Sequence, residues 1–136
     1  MAHVQDLMFS RRDAEALARL LANHRRVDLF EADGSDALAD LMLEARFVSE
    51  EAFPADRIGL RSAVTYAPDG GSVHRTVTLV EPAAADAAAG RISVLSPIGL
   101  ALIGRRRGAV SEALLPNGRR LKLRVLDAAP AVEAVA

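Results

Sequence analysis

An α+β fold is what the sequence predicts: an N-terminal antiparallel helical hairpin over residues 1–54, then an antiparallel β-sheet domain over residues 55–136 that carries one short helix. Three observations carry this reading. Apolar residues recur at helical spacing before Pro54 and at alternating spacing after Ile58. Two turn segments, Pro68-Asp69-Gly70-Gly71 and Pro116-Asn117-Gly118, each lie between alternating runs. The stretch from Gly90 to Gly108, GRISVLSPIGLALIGRRRG, sets a strand, a sharp corner and a helix of one to two turns in immediate succession.

Each element has a local cause. Ser10 is placed to cap a helix whose third residue is Asp13, and Ala14, Leu17, Leu20, Leu21 and His24 follow at helical spacing. Val27 to Gly34 breaks that period. Ser35 or Asp36 then opens a second helix with Leu38, Leu41, Met42 and Ala45 on one face. The pair is expected to bury Leu17, Leu21, Leu38 and Met42 against one another, because an isolated helix this short is marginal in water. Ser49-Glu50-Glu51 reads as a further capped turn stopped at Pro54, and Ala55 to Arg57 as the junction. From Ile58 the period is two: Ile58, Leu60, Val64 and Tyr66 suit a strand and Val73 to Val80 its partner. After the Ala-rich connection from Pro82 to Ala89, Ile92 to Leu95 forms a strand. Ser96 is an N-cap, Pro97 sits at the first helical position where its missing N–H costs nothing, and Gly104 fits a left-handed C-cap. Val110 to Leu115 and Leu121 to Leu126 make a second hairpin across Asn117-Gly118. Ala128 to Ala136 lacks periodicity and reads as a frayed tail.

A chain of 136 residues can bury a core without covalent staples. The absence of cysteine excludes a disulfide frame and a thiolate zinc site. Apolar runs are broken well before membrane-spanning length and no basic-then-apolar export signal opens the chain, so a soluble, cytoplasmic protein without a membrane partner is expected. A net charge of -1 hides an asymmetry. Residues 1–57 hold 7 Arg and 12 acids, whereas residues 58–136 hold 9 Arg, 1 Lys and 6 acids. The two halves therefore present different surfaces to a partner.

Thr78-Leu79-Val80, the Gly90 to Gly108 block, Pro116-Asn117-Gly118 and Leu123-Arg124-Val125-Leu126 occur in an order that resembles the C-terminal domain of the bacterial Gre transcript-cleavage factors, which bind RNA polymerase beside its secondary channel. The resemblance implies a small antiparallel sheet with a helix against it, similar in fold to the FKBP prolyl isomerases. Glu50-Glu51, Pro54, Asp56, Ile58, Leu60 and Ser62 in turn resemble the linker and first strand of the Rnk family, the so-called regulators of nucleoside diphosphate kinase, which look like Gre factors with a truncated helical hairpin. One departure stands out: the Gly-Asp usual after the basic triplet is Gly108-Ala109 here.

Ser96, Pro97 and Ile98 are the candidate partner-binding residues. Helix-start geometry by itself explains Ser and Pro there; the resemblance adds docking against the rim helices of the polymerase largest subunit. Both roles fit one loop, since a cap uses the Ser oxygen and leaves Pro and Ile to a partner. Asp28, Glu31, Asp33 and Asp36 are the alternative candidates, acids that could complete a magnesium site in Gre-type cleavage. Reach opposes that role, because about 14 residues per helix extend only about 21 Å, less than half of what full-length Gre hairpins are built to span. Acids near a helix start also offset the helix dipole without any metal. Arg105, Arg106 and Arg107, with Arg119, Arg120, Lys122 and Arg124, suit the wet face of a sheet, so contact with nucleic acid is expected to be indirect only.

The three His lack ligand spacing, and no hydrolase triad, phosphate loop or paired-carboxylate signature is visible. An isomerase pocket needs aromatic walls, yet Phe9, Phe30, Phe47 and Phe53 all precede the sheet domain, which holds only Tyr66. The expected function is therefore non-enzymatic, with no catalytic residue, metal or cofactor: docking on RNA polymerase at the secondary-channel entrance in competition with Gre factors. The alternatives are a Gre-type cleavage factor and, third, a basic RNA-binding module, which salt dependence would reveal.

Overall fold

The computed structural model describes residues 6–23 and 34–130. In chain order these form β1 (Met8–Ser10), α1 (Arg11–Asn23), α2 (Ser35–Glu44), β2 (Arg46–Val48), β3 (Ala63–Pro68), β4 (Arg75–Val80), two 3-10 turns, β5 (Arg91–Ser93), α3 (Pro97–Leu102), β6 (Val110–Leu114) and β7 (Arg120–Ala129). The α+β class holds, with three corrections. The five-stranded sheet, in the order β5-β4-β3-β7-β6, is mixed rather than antiparallel, because β5 pairs parallel to β4. Residues 81–90, which include the 3-10 turns Pro82–Ala84 and Ala87–Ala89, return the chain to the same end of the sheet in fewer residues than the dozen or more a parallel crossover usually takes. A parallel pair, β1 with β2, joins the outer ends of the two helices, and neither strand is legible in the hydrophobic period. The third correction concerns the tail: β7 continues to Ala129, where Ala63 pairs with Ala129 and Ala128 is buried. A bulge opposite Thr65/Tyr66 shifts the alternation there, which is why the period fades before the strand ends.

Strand boundaries move in the same way. Ile58 and Leu60 are buried but precede β3, since Arg61 takes φ 67 and Ser62 turns the chain through a hydrogen bond from Gly59 N to its Oγ. Val73 is exposed and β4 begins only at Arg75. The Asn-Gly hairpin forms as expected, with Gly118 at φ 82. His24 and the expected loop from Val27 lie outside the described residues, except for Gly34.

One apolar cluster runs through the molecule, from Phe9, Leu17 and Leu38 through Ile58, Leu102 and Ile103 to Val64, Leu123 and Val125. It is continuous across residues 54 and 55. Leu17 and Leu38 are fully buried in it, while Leu21 and Met42 pack on it only in part. The helices thus rest on the sheet domain as well as on each other.

Two kinds of joint fix them there. Ser10 Oγ accepts from Asp13 N at 3.1 Å, the expected cap, and Asp13 Oδ2 accepts from Leu60 N at 3.1 Å, tying α1 to the chain before β3. Glu50 Oε1 accepts from Arg12 N at 2.8 Å. Arg57, expected as a mere junction, is buried and donates to the Asp6 and Gly104 carbonyls, both at 3.0 Å, and to Asp6 Oδ1 at 2.9 Å. The other helix opens at Ser35, as expected. Gly34 occupies the cap position at φ 87 with no side-chain cap bond, and any Cβ there would strike the Leu95 carbonyl oxygen. The start of α2 therefore lies directly on the chain that leads into Ser96.

Candidate docking surface

The corner before α3 is built by two serines and a glycine. Ser93 Oγ accepts from Leu95 N at 3.0 Å, and Ser96 Oγ accepts from Gly99 N at 3.1 Å while donating to the Ser93 carbonyl at 2.6 Å. Both hydrogen-bonding roles of the Ser96 hydroxyl are thus used inside the protein. Gly99 lies so close to the Ser93 carbonyl oxygen that a side chain would strike it, which holds α3 tightly on β5. Pro97 occupies the first helical position as expected. Pro97 and Ile98 are half-buried, but not equally available: Ile98 packs against the core, whereas Pro97 faces an open groove.

That groove runs between α2, α3 and β6, walled by Ala37, Leu41, Pro97, Leu100, Val110 and Leu114. Its rim is charged, with Asp40 and Glu112 opposed by Arg105, Arg106 and Lys122. Burial pushes the Arg105 guanidinium below its ordinary value, opposed by the nearby Asp6 charge. Asp6 is held below the usual carboxylate value, first by its hydrogen bond from Arg57 and also by the charges of Arg57 and Arg106. The basic triplet is accordingly engaged at home: Arg106 meets Asp6 at 3.2 Å and Arg107 meets Asp127 at 3.8 Å. Arg124 meets Asp69 at 3.2 Å, and Arg120, Lys122 and Arg124 line up on the exposed face of β7. Such exposed pairs contribute little stability, about 0–1 kcal/mol each.

Sequence reasoning found the corner and missed the other walls. Val110 and Leu114 are exposed on the wet face of their strand, a position where polar residues are expected, and that mismatch was a readable signal. Ala37 and Leu41 carried none, because an apolar helix face reads as core. Of the alternative acids, Asp28, Glu31 and Asp33 lie outside the described residues, and Asp36 is exposed in the first turn of α2. Among the described residues no group of three or more His or carboxylate side chains could hold a metal, and no helix is long and apolar enough to cross a membrane.

Residues 53–130, which include the corner, the groove's β6 wall and the whole five-stranded sheet, match the family described as transcription elongation factor, GreA/GreB, C-term. This chain belongs to the GreA/GreB C-terminal family. Among curated relatives, transcription elongation factor GreA of Flavobacterium johnsoniae is 32% identical over 90 residues, covering 66% of this chain and 56% of the relative. GreA of Streptococcus gordonii is 36% identical over 74 residues, 54% of this chain and 46% of the relative. The chain thus spans about half the length of these GreA relatives. A solved structure described as a prokaryotic transcription elongation factor GreA/GreB from Nitrosomonas europaea superposes with a TM-score of 0.72 at 29% identity, covering 92% of this chain and 98% of that one. The Gre-like similarity in that case includes α1 and α2, which the family match leaves out.

Proposed function

We propose that this GreA/GreB-family chain is a short-armed, Rnk-like factor that binds RNA polymerase at the entrance of the secondary channel, in the cytoplasm, and competes there with longer Gre factors without chemistry of its own. The supporting observation is the joined geometry of corner and arm. The corner's hydroxyl is consumed by its own cap, Pro97 faces an apolar groove, and α2 forms the opposite wall. A partner seated at the corner therefore also fixes the arm. Among the described residues the arm is short: α1 has 13 residues and α2 has 10, about 20 and 15 Å of helix. A body of that length suits the channel mouth rather than its floor.

The names of the relatives favour a second reading, in which the chain is a Gre-type elongation factor that promotes transcript cleavage with Asp28, Glu31, Asp33 or Asp36 completing a magnesium site. One pair of measurements separates the two. Pro97→Asp keeps Ser96 as cap and puts an acid in the first turn of α3, where the dipole tolerates it, so the fold should persist. The variant is expected to bind core polymerase at least tenfold more weakly; wild-type affinity with a native circular-dichroism spectrum would remove the docking assignment. In a stalled elongation complex with magnesium and excess protein, no shortened transcript is expected. Shortened transcripts that vanish in the Asp28→Asn, Glu31→Gln variant would establish the second reading instead.

A further inference from the structure

Three cations near the groove each have an acid of their own: Lys122 lies opposite Glu112 across β6 and β7, Arg124 meets Asp69, and Arg107 meets Asp127. Beside Asp6 the count differs. Arg57 reaches this carboxylate at 2.9 Å and Arg106 at 3.2 Å, and Arg46 and Arg105 also lie within reach of its charge. Glu44 is a second acid acting on Arg105. Even with Asp40 of the groove rim counted, four guanidiniums outnumber the carboxylates there among the described residues. Burial pushes Arg105 below its ordinary value despite both acids, so a further negative charge beside it would be favoured. Arg105 and Arg106 both line the groove, at the end where α3 has finished, whereas Pro97 opens α3. Six residues of helix, about 9 Å, thus separate the basic end from the corner.

Resting on the docking reading above, we propose that the polymerase helix seated in the groove carries a carboxylate side chain about one to two turns from the residue that meets Pro97, and that Arg106, with Arg105 beside it, receives that carboxylate. The apolar stripe of the same helix would lie on Leu41, Leu100 and Val110. Arg106 is suited to the contact. Its side chain is 60% exposed, and among the described residues the one acid it meets is held through Nε, which leaves the terminal nitrogens of the guanidinium for a second carboxylate. A basic side chain at that place would face arginines in excess and be rejected, so the pair sets register and selects the partner while the apolar walls supply area. A free oxyanion would leave those walls unused.

Equilibrium binding of the full chain to core polymerase at several salt concentrations tests this. Arg106→Gln is expected to weaken binding about tenfold and to flatten its salt dependence. Arg107→Gln removes the neighbouring charge, which faces Asp127 rather than the groove, and is expected to bind as wild type does. Asp6→Asn keeps an acceptor for Arg57 and removes the carboxylate that competes for Arg106, so binding is expected to tighten several-fold. Tighter binding is an outcome that structural damage does not produce. Equal losses in Arg106→Gln and Arg107→Gln would reduce the contact to general attraction and overturn the proposal, as would weaker binding by a natively folded Asp6→Asn. If Arg106→Gln and Asp6→Asn both bind as wild type while Pro97→Asp still weakens binding, the acid contact falls and corner docking stands. Wild-type binding by all three removes both. Pyrophosphate bound by the free chain in isothermal titration, with polymerase affinity unchanged in Arg106→Gln, would assign the cluster to a free anion and overturn the proposal as well.

Discussion

The helical arm meets the sheet domain through two joints that share a buried leucine and differ in what is added to it. On the α1 side, where Leu17 is fully buried in the shared core, polar bonds are added to the packing: Asp13 holds Leu60 N, and Arg57 holds Asp6 and the Gly104 carbonyl. On the α2 side a steric contact is added: Gly34 lies on the Leu95 carbonyl, and Leu38 sits fully buried in the shared core. A directional joint fails by losing bonds that water can partly replace, whereas a close-packed joint has no substitute for lost contact. The packed contacts should therefore be the costlier to damage, and those of α2 also adjoin the corner at Ser96.

The largest effect is expected from Leu38→Ala, about 2–5 kcal/mol if the site cannot collapse, with Gly34→Ala next at about 1–3 kcal/mol of backbone strain before any shift of the Leu95 carbonyl. Urea unfolding measures both. Because the chain has no Trp and a single Tyr, Tyr66 emission reports the sheet while far-ultraviolet dichroism reports the helices. Coincident transitions are expected, as the buried cluster is continuous. Separate transitions would show that residues 1–54 and 55–136 unfold as independent domains. In competition with a longer Gre factor, Gly34→Ala should weaken docking and competition together, since Leu95 leads into Ser96.

An intermediate effect is expected from Arg57→Met, which keeps the buried stem and removes the bonds to Asp6 and Gly104, costing about 1–3 kcal/mol. Acid titration distinguishes the polar share from the packing share. Asp6 is held below its ordinary value of 3.8, so the folded state binds its proton less readily than the unfolded state does. Its contribution is present above that value and is lost as the pH falls below it. Arg57→Met should flatten that loss. An unchanged acid limb would mean that Arg106, at 3.2 Å, together with the charge of Arg46 sustains the Asp6 charge.

These joints mark where the sequence stops being readable. Ser10, Ser96, Pro97 and Asn117-Gly118 act within a few residues of themselves, and each does in the structure what its spacing implies, whereas Gly104 takes the expected left-handed φ just after the Ile103 cap but donates its N–H to Ile58 O. Arg57 and Asp13 act on partners 47 to 51 residues away, and nothing in a local period marks such a residue as structural. The groove is half legible for the same reason. Pro97 belongs to a local motif, whereas Ala37 and Leu41 become a wall only once Gly34 has brought α2 onto the corner. Parallel pairing of β5 was hidden too, because alternation reveals a strand but not its direction.

The smallest effect belongs to Asp13→Asn, and its sign in acid is the sharpest test of the polar joint. Burial raises the Asp13 carboxyl above its ordinary value of 3.8, outweighing the bond from Leu60 N that lowers it. The folded state therefore binds this proton more tightly than the unfolded state, and stability falls as the pH rises from 3.8 through the raised value. This runs opposite to Asp6. Asparagine keeps an oxygen for Leu60 N and removes the charge that burial penalises, so near neutral pH the variant should lie within about 1 kcal/mol of wild type. Its stability should also lose the rise that wild type shows on mild acidification above 3.8. A much larger loss at neutral pH, with the rise gone, would mean that the ionised carboxylate, through the α1 dipole and its neighbouring arginines, is what holds α1 to the sheet domain. The polar joint would then rival the packed one, and the ranking drawn from their chemistry would reverse.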